Sequence, residues 1–156
     1  EAQFGPILTK QGELKRSLLG KKVFGNANQL QKLAAITHPA VAKQVEKEII
    51  LGQEKHVPGI FYDVPLLYEN NLSDKMLGVI VVWMPPHLQK IRLAKRDGLD
   101  DQQIEARLKS QLPLEQKKAR ADWVIDNSHN LEHTHNQVQH LWQHLVKNIF
   151  ANQKPK

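Results

Sequence analysis

Gly59-Ile-Phe-Tyr-Asp63-Val-Pro65-Leu-Leu-Tyr-Glu69-Asn-Asn-Leu72 is the stretch from which the rest of the chain can be read. Its apolar start, rich in β-branched and aromatic residues, predicts a buried strand. Val64-Pro65 should end that strand, because proline has no ladder N–H and restrains the residue before it. Asp63 then falls at the strand's carboxyl end, the edge of an open α/β sheet where ligands bind. A carboxylate there, followed by an apolar hook and Glu69, points to a site. A strand-ending turn whose Asp caps the next segment would use the same residue types.

Downstream, Gly78-Val-Ile-Val-Val-Trp-Met84 is an uninterrupted apolar run, expected of a strand covered on both faces, and Pro85-Pro86 ends it. Helices are predicted over 87–95, with Leu88, Ile91 and Leu93 inward, over Asp100 to Ser110, and from Pro113 through Lys118. Trp123-Val-Ile-Asp126 reads as a third short strand. Leu131, Val138, Leu141, Trp142, Leu145 and Ile149 keep helical spacing and predict one long closing helix, with a frayed tail from Gln153. Upstream, 13–23 and 28–36 read as short helices separated at Gly25, with Asn26 or Asn28 as a possible N-cap. His38-Pro39 interrupts the pattern and starts a third helix that stops at Gly52. Strands separated by helices predict an α/β fold: a parallel sheet with flanking helices and a helical first third.

At 156 residues, 40% hydrophobic and 24% charged, the chain has the composition of a soluble globular domain. With no cysteine, disulfides, thiolate metal sites and a cysteine nucleophile are excluded. No apolar run approaches membrane-spanning length and the first residues lack a signal-peptide pattern, so a cytoplasmic protein without a membrane partner is expected. A formal charge of +6 favours anionic partners.

The basic residues cluster: Arg92, Arg96 and Arg107, then Lys117, Lys118 and Arg120. Arg92 and Arg96 lie one helical turn apart, so their planar forks can converge on one anion. Phosphoryl transfer requires such groups to match the charge on the migrating phosphoryl. Solvated helix faces paired with Glu105 or Asp97 would give the same pattern. His38 could cap a helix or, near a helix N-terminus, meet an anion. The histidines at 129, 133, 135, 140 and 144 lack a His-Glu-x-x-His motif or a completing carboxylate, so a polar helix face is expected and no metal ligand is assigned. Trp83 and Trp142 are expected in the core. No phosphate-cradling Gly-x-x-x-x-Gly-Lys-Ser/Thr occurs: around Gly20-Lys21, Lys15 stands for the first glycine and Lys22 for the hydroxyl.

The chain resembles the dephospho-coenzyme A kinases, a P-loop kinase family, nearly end to end. The matching pieces are Phe4-Gly5, Gly12-Glu-Leu-Lys-Arg16, Val23-Phe24, Leu33-Ala-Ala-Ile-Thr-His-Pro39, Asp63 to Glu69, Val79-Ile-Val-Val82, Arg92 to Gly98, Ala106-Arg-Leu-Lys-Ser-Gln111 and Arg120-Ala-Asp-Trp-Val-Ile-Asp-Asn127. The Pro-Leu-Leu-x-Glu hook, the Arg-Asp-Gly turn, the later Arg-x-x-x-Gln and the Ile-Asp-Asn close make the combination specific. The resemblance implies a single kinase-like domain fragment over 1–156, with a helical coenzyme A subdomain over 1–56. Core strands would follow over 57–84, helices and lid over 85–120, and the last strand and C-terminal helix over 121–152.

The implied reaction moves the ATP γ-phosphoryl to the ribose 3′-hydroxyl of dephospho-coenzyme A, the final step of coenzyme A synthesis, with Mg²⁺. By position, Arg92 is implied as the catalytic arginine, Arg96 and Arg107 as lid and phosphate-binding residues, and Asn127 as adenine-binding. His38, Asp63, Pro65, Leu66, Leu67 and Glu69 are implied on the acceptor side, and contact between Asp63 and Mg²⁺ stays open. The family's opening strand, its P-loop, the following helix and the strand carrying the expected general base have no counterpart, so a fragment inactive by itself is expected, with exposed sheet edges. The alternatives are another small-molecule kinase, such as one for nucleoside monophosphates, or a basic module for nucleic acid or an acidic protein. The second lacks aromatic residues interleaved with the basic ones, and no nucleic-acid partner is expected.

Overall fold

The computed structural model describes residues 3–23 and 26–151, the Ser17 side chain excepted. Phe24, the Gly25 break and the tail from Gln153 lie outside the described residues. The chain divides into two compact units, Glu1–Ile60 and Phe61–Lys156.

The first unit opens with an antiparallel bridge between Leu8 and Leu14. Gly12, at φ 85°, supplies the left-handed turn that returns the chain. Helix α1, Arg16–Val23, follows. Phe4, Ile7, Leu19 and Val23 form a small core, with Leu33 packed against it, and Lys22 Nζ donates to the Phe4 carbonyl at 2.6 Å.

Helix α2 runs unbroken from Ala27 to Glu54, capped by Asn26, whose side chain accepts from the Gln29 N–H. The two helices expected on either side of His38-Pro39 are therefore one. Proline removes a single i to i−4 bond and crowds the preceding turn, and twelve residues or more of good helix on each side outlast that local defect. At the far end His56 is left-handed and the Val57 N–H returns to the Gly52 carbonyl at 3.1 Å. A Cβ on Gly52 would stand 2.7 Å from Ile60 Cδ1, so glycine permits that fold-back.

The expected first strand is absent. Residues 59–64 carry no strand, because a strand exists through its ladder, and β1, Ile80–Trp83, and β2, Trp123–Asp126, pair only with each other among the described residues. Phe61 turns outward instead, 59% exposed. The two strands are parallel, as expected, in register Ile80 to Trp123 through Trp83 to Asp126. Gly78 lets the Trp123 ring lie against the entering backbone, where a Cβ would stand 2.4 Å from it.

Between the strands run α3, Pro86–Asp97, α4, Asp101–Lys109, and α5, Leu114–Ala119. Each matches its predicted span to within about two residues. Proline opens α3 at its first turn, left-handed Gly98 closes it, and Asp100 with Gln103 forms a capping box on α4. Helix α3 packs on α4, and α5 beside β1. Leu88 and Leu93 are half-buried as expected, but Ile91 is exposed.

Helix α6, Leu131–His144, lies on β2 and continues as a π-helical turn, Leu145–Phe150. Val81, Ile104, Ile125, Leu145 and Tyr68 are buried. Trp142, expected in the core, is half exposed; its ring meets Phe61 at 6.2 Å and Phe150 at 6.0 Å.

Candidate active site

The carboxyl ends of β1 and β2 are joined backbone to backbone, the Asn127 N–H donating to the Trp83 carbonyl at 2.7 Å. Immediately past β2, Ser128 donates to Asp126, and its hydrogen bonds hold that carboxyl below its ordinary range. Gln137 of α6 bridges both polar groups of the Asp126 backbone, at 2.9 and 2.8 Å. Thr134 Oγ1 donates to Asn127 Oδ1 at 3.1 Å. Thr134 thus holds the Asn127 side chain at the sheet edge while Gln137 holds the backbone of the residue before it, two α6 residues to which the sequence pattern drew no attention. Both lie at helical spacing from Asn130, the N-cap of α6.

Arg92, on α3, reaches the same loop: its Nη2 donates to the His129 carbonyl at 3.3 Å. One turn on, Arg96 grips Asp97 with two hydrogen bonds, at 2.7 and 3.0 Å. Arg107, from α4, donates to Asp97 Oδ2 at 2.6 Å. Bonding to Arg96 first, with Arg107 behind it, holds the Asp97 carboxyl below its ordinary range. The pair that meets is thus Arg96 and Arg107, not Arg92 and Arg96 as helical spacing suggested, and it meets on Asp97, the partner expected of an ordinary solvated helix face. Lys90 and Glu105 add a second ion pair between the same two helices.

The hook is a wound segment. Leu67 donates to the Val64 carbonyl, Asn70 to Leu66, Asn71 to Tyr68 and Leu72 to Leu67, at 3.0 to 3.2 Å, and left-handed Asn71 ends it. Asp63 and Leu66 are exposed and Tyr68 is buried. Glu69 turns inward: its Oε1 accepts from Lys117 Nζ at 2.7 Å and from the Leu112 N–H at 2.8 Å, while Oε2 is enclosed without a hydrogen-bond partner. Burial pushes the Glu69 carboxyl up, but the bonds from Lys117 and Leu112 outweigh it, and the net direction is down.

Three of the six clustered basic residues consequently face protein. Lys117 is buried, Lys118 lies 3.5 Å from the centre of the Trp83 ring, and Arg120 sits 4.2 Å from that of Tyr68. Trp83 in turn donates to Glu115 at 2.9 Å. His38, expected at a helix start, stands exposed in the interior of α2, about three turns from that helix's own N-terminus. The His129 and His133 rings pack 4.5 Å apart at a tilt of 60°, and no group of three His, Asp or Glu able to hold a metal ion occurs among the described residues.

Residues 1–133 match the family model of dephospho-CoA kinase. The chain belongs to the dephospho-CoA kinase family. It is 39% identical over 151 residues to a dephospho-CoA kinase of Thermobifida fusca, which covers 96% of this chain and 74% of the relative. It is 43% identical over 122 residues to one of Anaeromyxobacter dehalogenans, 78% of this chain and 58% of the relative. Among solved structures it is similar to a crystal structure from Thermus thermophilus, with TM-score 0.73 and 27% identity over 92% of this chain and 73% of that one. It is also similar to a dephospho-CoA kinase from Campylobacter jejuni, with TM-score 0.66 and 26% identity over 94% of this chain and 73% of that one. The α/β architecture of parallel strands and flanking helices is thus that of the dephospho-CoA kinases. No helix among the described residues is long and apolar enough to cross a membrane.

Proposed function

We propose that the protein to which these residues belong phosphorylates the ribose 3′-hydroxyl of dephospho-coenzyme A with ATP. The family match over residues 1–133 carries the reading. The meeting of Arg96 and Arg107 on one carboxylate supports it, because two guanidinium groups already held at a single anion are placed to take phosphate oxygens instead. Arg92, fixed against the loop beyond β2, is assigned the transition-state charge, and Asn127 beside it the adenine. Asp63, Pro65, Leu66 and Leu67 are assigned the acceptor face of the hook, Glu69 its inner support, and His38 a contact to the acceptor.

Mg²⁺ is the ion that such a donor set suits, since it is held by one or two carboxylates, waters and substrate phosphates rather than by a protein cage. Exposed Asp63 is the carboxylate assigned to it, through water. Bound with ATP, Mg²⁺ would neutralise charge on the phosphates. Residues 1–156 contain no phosphate-cradling glycine motif, so these residues by themselves are expected not to transfer phosphoryl. A cytoplasmic setting fits the substrates.

The test is a substrate comparison with the natural full-length polypeptide. ATP-dependent phosphorylation is expected with dephospho-coenzyme A and not with AMP, CMP or UMP. Turnover of a nucleoside monophosphate in place of dephospho-coenzyme A would reject the assignment.

A further inference from the structure

We propose that Lys117 is a positioning residue for the acceptor hook, a role that rests on the kinase assignment. Lys117 is 7% exposed, and a lysine so deeply placed needs partners for its ammonium donors. It has two, and both belong to the hook: Nζ donates to the Pro65 carbonyl at 2.9 Å and to Glu69 Oε1 at 2.7 Å. They are the first and fifth residues of the Pro-Leu-Leu-Tyr-Glu sequence, so one ammonium spans the wound turn and fixes its pitch. Glu69 Oε1 also takes the Leu112 N–H, which ties the same carboxylate to the segment between α4 and α5. Arg120, one turn beyond Lys117, covers the Tyr68 ring.

The consequence is an arrangement in which the inner side of the hook is pinned to α5 while Asp63 and Leu66 stay exposed. Lys117 touches no reacting atom. It sets where the exposed residues stand, and an apolar side chain in its place would leave the Pro65 carbonyl and the part-buried Glu69 carboxylate without a donor from α5.

The test uses the natural full-length polypeptide carrying Lys117→Met, Lys117→Arg or the apolar pair Glu69→Met/Lys117→Met. Initial rates are measured with each substrate varied, alongside amide exchange at Leu67, Asn70, Asn71 and Leu72. K117M is expected to raise KM for dephospho-coenzyme A about tenfold, leave KM for ATP within about twofold, and speed those four amides about tenfold, as loss of charged hydrogen bonds would. Exchange at Asn127 stays unchanged, and K117R restores both readouts toward wild type.

Wild-type exchange of the four hook amides in K117M, or an equal rise in both KM values, overturns the proposal. Should K117M fail to fold, the apolar pair, which strands no charge, carries the exchange measurement with the same expected and overturning results. If the wild-type protein does not act on dephospho-coenzyme A, the functional reading fails, and the exchange arm alone decides whether Lys117 holds the hook.

Discussion

Asp97 and Arg107 meet at 2.6 Å across the Gly98 turn, so the carboxylate that ends α3 is the anchor for the arginine on α4. Arg96 grips the same carboxylate from within α3. All three side chains are solvent-accessible, and exposed ion pairs contribute little stability. Asp97→Asn is expected to change unfolding free energy by less than about 1 kcal/mol. Arg96→Gln and Arg107→Gln should each raise KM for ATP about tenfold or more, the scale of one charged hydrogen bond. Denaturant unfolding and initial rates at varied ATP check the two halves. An unchanged KM in both arginine variants would remove these residues from the phosphate site.

Arg92 is expected to behave differently from its neighbours. Its contact with the His129 carbonyl holds it at the sheet edge, the place proposed for the transferring phosphoryl. Arg92→Gln should lower kcat about a hundredfold with smaller changes in either KM, as loss of a transition-state donor does. Rapid-quench measurement of the chemical step separates this from slower product release.

Glu69 gives a pH dependence with a definite sign. Its folded-state carboxyl titrates below the ordinary value, so across that window the unfolded chain binds more protons and stability rises with pH. The contribution is fully present above about pH 4.3, the ordinary glutamate value, and is lost as pH falls through the lower folded-state value. Glu69→Gln should be less stable than wild type at neutral pH, and the difference should shrink in acid. Unfolding followed from about pH 3 to 7 shows it.

Pro39 sits where α2 would otherwise carry one more hydrogen bond. Pro39→Ala is expected to stabilise the helix by about 1 to 3 kcal/mol, reduced by the added freedom of the unfolded chain. Slower amide exchange from 37 to 43 is the readout.

Gly98 ends α3 at φ 63°, and a Cβ there would meet nothing within 4 Å. Gly98→Ala should therefore destabilise by about 1 kcal/mol through backbone strain alone, without a clash. Thermal unfolding measures it.

Local chemistry was enough to locate β1, β2 and α3 to α6 in the sequence, because apolar period, proline stops and capping residues act within a few positions. The same locality explains the misreadings. His38-Pro39 looks like a helix boundary, yet the flanking turns of α2 carry the helix through it. Residues 59–64 have strand composition, but composition cannot supply a neighbouring ladder. Lys117 reads as one more member of a basic cluster because charge is visible in a sequence and burial is not.

The sequence by itself determined the family, through motifs spread from Phe4 to Asn127, and the order of helices and parallel strands, since each depends on residues close in the chain. Only the tertiary structure decided which charges face solvent and which hold the molecule together. Lys117 and Pro65, 52 positions apart, meet because α5 packs beside β1 and draws the hook under it. That meeting follows from close packing of distant segments, which no local pattern encodes.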